Sequence, residues 1–346
     1  MKSLYKTTVV ACSLALLTSA SAFSAPAKPK AKTPPKAKAP VHTTIGTTQL
    51  SGENAQFGIT YTLGKTDPMN ITIRSASYSV DPILIGDVLH TVSSDEKFLV
   101  LHMTYHNPQP NDKYVRWDNY GYTVVDPHDE NHDGLIDLGA EGETTAVSMS
   151  MKPAQKKDVF AAIIVPAASE MPKLIIKGSD ERVLRYDLRG KVKPLPATYA
   201  DPADKSGATA LAKIKGLPDT PYAIGRFQFK FVKASLFTGA KLGEYDRDGE
   251  KFVLVQFVLK NMSPSKEYFR WDTLANTLMD VDGGEICSST DVFTATRTTS
   301  YSADMSPAQE TTFRYLYKMA SDVVPKTLKI SQEHTRAVEF DIPELK

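Results

Sequence analysis

The sequence predicts an all-β fold class, two tandem antiparallel β-sandwich domains, and three observations carry the prediction. Short apolar runs alternate in and out with a period of two and are separated by Pro, Gly, Asn and Asp. One of these runs recurs, with its flanks, 154 residues further on. No long amphipathic helical pattern interrupts either stretch, which leaves sheet packed on sheet as the way to bury the apolar faces.

From the N-terminus, residues 1–22 read as a signal peptide. Lys2 and Lys6 give a positive start, Val9 to Leu17 an apolar run, and Ala20-Ser21-Ala22 a small-residue cleavage site. A lipoprotein signal is the competing reading, because Val9-Val10-Ala11-Cys12 superficially resembles a lipobox; Cys12, however, falls in the middle of the apolar run rather than at its end. Residues 23–47 form an Ala/Lys/Pro-rich arm, and "PAKPKAKTPPKAKAP" (26–40) is expected to be an extended, disordered spacer. Removing the two signal lysines and the five of the arm leaves 34 basic against 40 acidic residues, a net charge of −6 on the body. An acidic body fits a nucleic-acid role poorly, whereas the basic arm suits either a solvated tether or attraction to an anionic envelope polymer. No second apolar stretch reaches membrane length, so a secreted or periplasmic protein is expected rather than an integral one. Cleavage leaves Cys287 alone, without an internal disulfide partner.

The body divides into repeat 1 (48–188), a linker (189–217) and repeat 2 (218–346). "EKFLVLHMTYHNPQPNDKYVRWD" (96–118) aligns with "EKFVLVQFVLKNMSPSKEYFRWD" (250–272) without a gap. The spacing persists through "TVVD" (123–126) and "TLMD" (277–280), "MKPAQ" (151–155) and "MSPAQ" (305–309), and "RVLRYDL" (182–188) and "RAVEFDI" (336–342). Upstream, "RSASY" (74–78) answers "VKASL" (232–236) at a slightly different offset. Within the opening strands, Leu99, Leu101, Met103 and Tyr105 share one apolar face, as do Val253, Val255, Phe257 and Leu259. In "YVRWD" and "YFRWD", strand alternation places Val115 with Trp117 and Phe269 with Trp271 toward the core, with Arg and Asp pairing on the opposite face. An exposed Trp–Arg pair serving in binding is the alternative. The best helix candidate, Ala208 to Lys215, lies in the linker.

The pattern "EKFLVLHMTYHN … TVVD", then "MKPAQ", the apolar strand "VFAAIIVP" and a final "LIIK", resembles a bacterial secreted domain family of unknown function. Its members are Ig-like β-sandwiches similar to mycobacterial immunoprotective extracellular antigens. The resemblance covers roughly 96–177 and 250–330, implies an extracytoplasmic Ig-like module, and brings no catalytic residues with it.

The stretch that departs from that family is "DPHDENHDGLID" (126–137), with five acidic residues, an Asn and two His in twelve positions. Asp129, Asn131 and Asp133 alternate as in a D-x-[DN]-x-[DN]-G calcium loop, with the Leu135 carbonyl and Asp137 as further oxygen ligands. The closing bidentate Glu is missing, because that position is Ala140. A structural Ca²⁺ site in repeat 1 is the leading reading and a polar turn its rival. His128 and His132 allow Zn²⁺ or Ni²⁺ instead. Repeat 2 answers the stretch with the compact "DVDGGE" (280–285), so the acidic version is expected to be the same hairpin, extended in repeat 1 only.

His102 and His106 lie four residues apart on one strand, about 13 Å, too far to share a metal, and "SMSM" (148–151) lacks the His or Cys that a copper site would need. No G-x-S-x-G elbow, H-E-x-x-H, P-loop, dinucleotide turn or catalytic Cys motif is present. The expectation is a non-catalytic binding or structural module that presents loops to an envelope protein, glycan or surface polymer. The alternatives are a secreted β-sandwich hydrolase or carbohydrate-active protein with structural calcium, and a periplasmic transition-metal-binding protein.

Overall fold

The computed structural model describes residues 52–346 except 179–181, 238–248, 297–299, 344 and 346. The signal peptide and arm lie outside the described residues. The described part is all-β, with a single short 3₁₀ turn at Trp117–Asn119 and no α-helix among the described residues. None of its helices is long and apolar enough to cross a membrane.

In the first half, one sheet runs in the order Gly52–Ala55, Val183–Asp187, Lys173–Lys177, Gly121–Val125, Asn131–His132. The facing sheet runs Gly134–Ala140, Lys156–Pro166, Glu96–His106, Met69–Ser79, Val192–Lys193, with Thr60–Leu63 also paired to Met69–Ser79. The second half has two sheets of five strands. One is ordered Lys213–Gly216, Ala337–Asp341, Thr327–Ser331, Ala275–Met279, Glu285–Ser288. The other is ordered Pro221–Ile224, Phe227–Phe237, Glu250–Asn261, Glu310–Ala320, Asp291–Thr294. Most pairs are antiparallel, but Gly52–Ala55 with Val183–Asp187, Lys213–Gly216 with Ala337–Asp341, and Val192–Lys193 with Met69–Ser79 are parallel. Each parallel partner is reached through a long connection rather than a hairpin, which is what parallel pairing requires.

Alternation on the long central strands makes the cores. Leu99, Leu101, Met103 and Tyr105 are fully buried in the first main cluster, and Val253, Val255, Phe257 and Leu259 in the second. The opposite faces of the same strands carry an apolar cluster at their starts. There Phe98 and Val100 join Val92 and Ala162 in a small outer cluster, as Phe252 and Leu254 join Phe293 and Leu316. The strands preceding them are bulged at equivalent places, between Ile73 and Ser75 and between Phe231 and Lys233.

Buried polar contacts recur at the same spacing of 154. Asn107 Nδ2 donates to the Met151 and Asn111 carbonyls at 3.0 and 2.8 Å, and Asn261 Nδ2 to Met305 and Ser265 at 2.9 and 2.8 Å. Lys97 Nζ reaches the Ala167 carbonyl at 3.1 Å and Lys251 Nζ that of Ser321 at 2.9 Å. Lys97 goes further: fully buried, it also donates to the Ser169 and Ala208 carbonyls and lies 4.4 Å from the centre of the Tyr78 ring. Those contacts surround the ammonium with acceptors and a π face, while burial pushes its pKa down to about 8, with nearby Asp204 opposing the shift and Arg336 adding to it.

Segment 189–217, expected as a linker with a helix at 208–215, is built into both halves. Val192–Lys193 extends the first half's sheet and Lys213–Gly216 edges the second's. Ala208 and Ala210 are buried in the first core, and an Ala200↔Ala210 bridge holds the chain extended. The apolar contacts of that stretch are met by sheets on either side, so it gains nothing by coiling alone. Tyr199 packs against both main cores. Arg336, 5% exposed, crosses from the second half: Nη1 donates to the Ser93 carbonyl at 3.0 Å, Nε to Leu211 at 2.9 Å, and Nη2 to Glu96. Beside it the Ser94 N–H donates to the His334 carbonyl at 2.9 Å. Residues from Gln49 on accordingly form one compact unit.

Arg336→Ala removes three hydrogen bonds from a buried junction. A loss of about 2–4 kcal/mol is expected, with wild type expected to melt in one calorimetric transition and the variant in two; a single transition of the variant at the wild-type temperature would refute the role given to Arg336. For Lys97 the sign follows from its lowered pKa. Between about pH 8 and the unfolded lysine value, the unfolded chain binds more protons, so this group's contribution rises with pH. The stability of wild type relative to Lys97→Met should therefore grow from pH 8 toward 10, as read by denaturant melts.

Candidate functional site

Two regions warrant attention: the acidic stretch and the "RWD" turns. The acidic stretch is not one loop. Residues 126–130 form a tight hairpin turn, closed by the Asp126 N–H on the Glu130 carbonyl at 3.0 Å and the Asp129 N–H on the Asp126 carbonyl at 3.1 Å. Asn131–His132 then pairs with Val124 and Val125 in one sheet, and the chain crosses at Asp133 to Gly134–Ala140 in the other. The turn at 280–284 is built alike and has the same length, with the Asp280 N–H on the Gly284 carbonyl at 2.9 Å. The expected extension of this hairpin in the first half is thereby corrected: the acidic residues are an ordinary turn plus a sheet-to-sheet crossing. Asp129 occupies the position of Gly283, and both have positive φ, 62° and 80°, a conformation that Asp tolerates better than most side chains.

The centre of the turn is Asp126, outside the predicted ligand set. Its carboxylate accepts from the His128 and Glu130 N–H groups at 2.8 and 2.9 Å and lies 3.3 Å from His132 Nε2. Burial alone would raise its pKa, but the Glu130 N–H, His132 and the His128 N–H together hold it below the usual carboxylate range. Asp280 does the same work with the Asp282 and Gly284 N–H groups at 2.9 and 2.7 Å. The predicted ligands point to separate tasks. Asp129 pairs with Lys173 at 3.0 Å, Asp137 accepts the Leu138 N–H at 2.7 Å, and Leu135 is in strand register with Ile163. Asn131 and Asp133 are exposed, the first in the strand before the crossing and the second at the crossing itself. Among the described residues no group of three or more His, Cys, Asp or Glu gathers as a metal would require. His102 and His106 face different partners, Glu141 at 2.6 Å and Asn70 at 3.1 Å. Cys287 is half-buried, and burial pushes its thiol up to about 11, which makes it a poor nucleophile.

The "RWD" turns overturn the expectation of a buried Trp. Val115 and Phe269 point inward and are fully buried, but both strands end immediately afterwards, Lys113–Arg116 at a 3₁₀ turn and Glu267–Phe269 at an irregular one. The turn is fixed by a side chain three residues on: the Arg116 N–H donates to Asn119 Oδ1 at 2.5 Å, and the Arg270 N–H to Thr273 Oγ1 at 2.9 Å. It swings the indoles out, leaving Trp117 49% and Trp271 44% exposed, with Tyr114 and Tyr268 at 57% and 54%. Asn119 and Thr273, both cap-forming types, are the sequence signal that strand alternation overrode. Arg116 forks onto Asp118 through Nε at 2.8 Å and Nη2, and Arg270 Nε meets Asp272 at 2.5 Å. The Arg116 guanidinium holds the Asp118 carboxyl below its usual range. In the second half, buried Asn276 pins the turn from beneath, donating to the Trp271 and Leu274 carbonyls at 3.1 and 2.9 Å.

No protein-family model matches the chain, and no curated protein matches it. An uncharacterised β-sandwich protein from Clostridium difficile 630 is similar over 41% of this chain and 99% of its own, at 16% identity and a TM-score of 0.29. The exo-chitosanase CsxA E541A of Amycolatopsis orientalis, in complex with PNP-β-D-glucosamine, is similar over 69% of this chain at 16% identity and a TM-score of 0.19. This chain spans a quarter of that enzyme's length. At these TM-scores neither likeness bears on function.

The turn geometry separates Asp126 from Asp129. Asp126→Ala is expected to lower the melting temperature by several degrees, because two turn N–H groups lose their acceptor. Asp129→Gly relieves a positive φ and should leave the melting temperature unchanged or raised. Adding millimolar Ca²⁺ is the discriminating measurement. A calcium-dependent rise in wild type that vanishes in Asp129→Gly and Asp133→Ala would assign these side chains to an ion instead.

Proposed function

We infer that this protein is an exported, non-catalytic binding module built from two tandem copies of one Ig-like β-sandwich, each contributing one recognition surface. The observation that carries this is the exposed Tyr–Arg–Trp–Asp turn, present in both halves at the same place. Half-exposed tryptophans are costly in solvent and useful in recognition, and Trp, Tyr and Arg are the residues that dominate binding surfaces. Duplication is supported by the Asn, Lys and Asp side-chain-to-backbone contacts that recur 154 residues apart, buried in both halves at the Asn pair. The basic arm, by its sequence, suits a spacer that carries the module away from an anchoring point or toward an anionic surface.

The test is co-sedimentation of the exported protein with the cell's own envelope fraction, comparing wild type with the double variant Trp117→Ala/Trp271→Ala. Wild type is expected in the pellet and the variant in the supernatant, with both melting within a degree or two because the removed rings lie outside the cores. Equal sedimentation of the two would remove this reading.

A further inference from the structure

The chemistry of the two turns narrows what they can hold. Among the described residues the four exposed aromatic side chains, Tyr114, Trp117, Tyr268 and Trp271, all lie in these turns or in the strands that lead into them. Hydroxyl and amide groups belong to the same short segment: the Tyr114 hydroxyl, hydrogen-bonded to that of Ser148 at 2.6 Å, and Asn119. The one cation of each turn is neutralised inside it, Arg116 by Asp118 and Arg270 by Asp272. A ligand matched to such a surface has an apolar face for the rings, hydroxyl edges for the polar groups, and no charge of its own.

Resting on the binding-module reading above, we propose that the two turns bind a neutral glycan of repeating sugar units. Each indole receives the C–H face of one sugar ring, and the neighbouring Arg, Asp and Tyr groups hydrogen-bond its hydroxyls. A polyanion would have to displace Asp118 and Asp272 from their arginines and approach an acidic body. A peptide anchor calls for a pocket that excludes water around it, whereas these rings stand about half exposed on open turns. Two equivalent surfaces on one compact unit suit a ligand that repeats, because a second contact on the same polymer adds avidity without any new chemistry. The surfaces are also pre-formed: side-chain caps at Asn119 and Thr273 and the core-side Asn276 fix the turn backbones, so little ordering is required on binding.

Both tryptophans of the chain sit at these turns, so emission excited selectively at the indoles, beyond the absorption band of the 15 tyrosines, reports the two sites. The exported protein is titrated with laminarin, mannan, dextran and chitohexaose, alongside polygalacturonate as a polyanion. The expected result is a saturable emission change with at least one neutral glycan, insensitive to salt. Trp117→Phe and Trp271→Phe should each retain one site's share of the signal. By affinity electrophoresis, Trp117→Ala or Trp271→Ala should each weaken polymer binding by roughly 10–100-fold. No response to any neutral glycan overturns the proposal, as does a salt-sensitive response to polygalacturonate alone. Loss of envelope sedimentation after protease treatment of the envelope also overturns it, since the ligand would then be protein. In these three cases Trp-dependent sedimentation would still stand, so the ligand class fails while the binding module survives; Trp-independent sedimentation sinks both.

Discussion

The Arg336 guanidinium is the interaction on which the arrangement of the whole unit depends. It donates to three backbone carbonyls, from Ser93, Glu96 and Leu211, at the junction between the halves. A planar fork with five donors can serve three carbonyls at once, and it cannot shed its charge to escape burial. At the matching position of the first half, Arg182 is 39% exposed and reaches the Thr62 carbonyl and Glu53. The same residue is thus a surface tie in one half and a buried coupling in the other. With Tyr199 packed against both cores and segment 189–217 paired into sheets on either side, this coupling joins the two halves into one body. A body of that kind holds its two exposed turns at a fixed separation.

What recurs between the halves falls into two kinds. Asn107 and Asn261, Lys97 and Lys251, and Asp126 and Asp280 are polar residues that close turns and edges by hydrogen-bonding the backbone in both halves. The indoles of Trp117 and Trp271 close nothing. Neither core would lose packing if they were absent, since Val115 and Phe269 already fill the inward positions. Under the binding-module proposal, a feature that the fold does not need, present in both halves, is explained by what it meets outside the molecule.

Much of the fold was legible because period-two alternation is decisive on long strands: the buried faces of 99–105 and 253–259 are the apolar faces of the sequence. Legibility fails where alternation stops. Trp117 and Trp271 continue the inward set by count, yet the strand ends before them, and only the capping types at Asn119 and Thr273 mark that end. Segment 189–217 was illegible for a different reason. Its short strands pair with chain far away in sequence, Val192 with Ala76 and Lys213 with Ala337, and local composition holds no record of a distant partner. The acidic stretch misled through composition alone, because a calcium-loop spacing says nothing about a chain that changes sheets midway.

That last case also bears on charge. The acidic stretch sits on a body with excess negative charge, yet its carboxylates are mostly committed: Asp126 to turn N–H groups, Asp129 to Lys173, Asp137 to its own neighbour. The same internal neutralisation governs the Trp turns, where each arginine faces an aspartate two residues on. A surface whose charges are already paired has little long-range field with which to draw an ion or a polyelectrolyte. Its selectivity must come from contact, from ring faces and hydrogen-bonding edges at short range. Under the binding-module proposal, the aromatic turns, and not the acidic one, are the place where a ligand is distinguished.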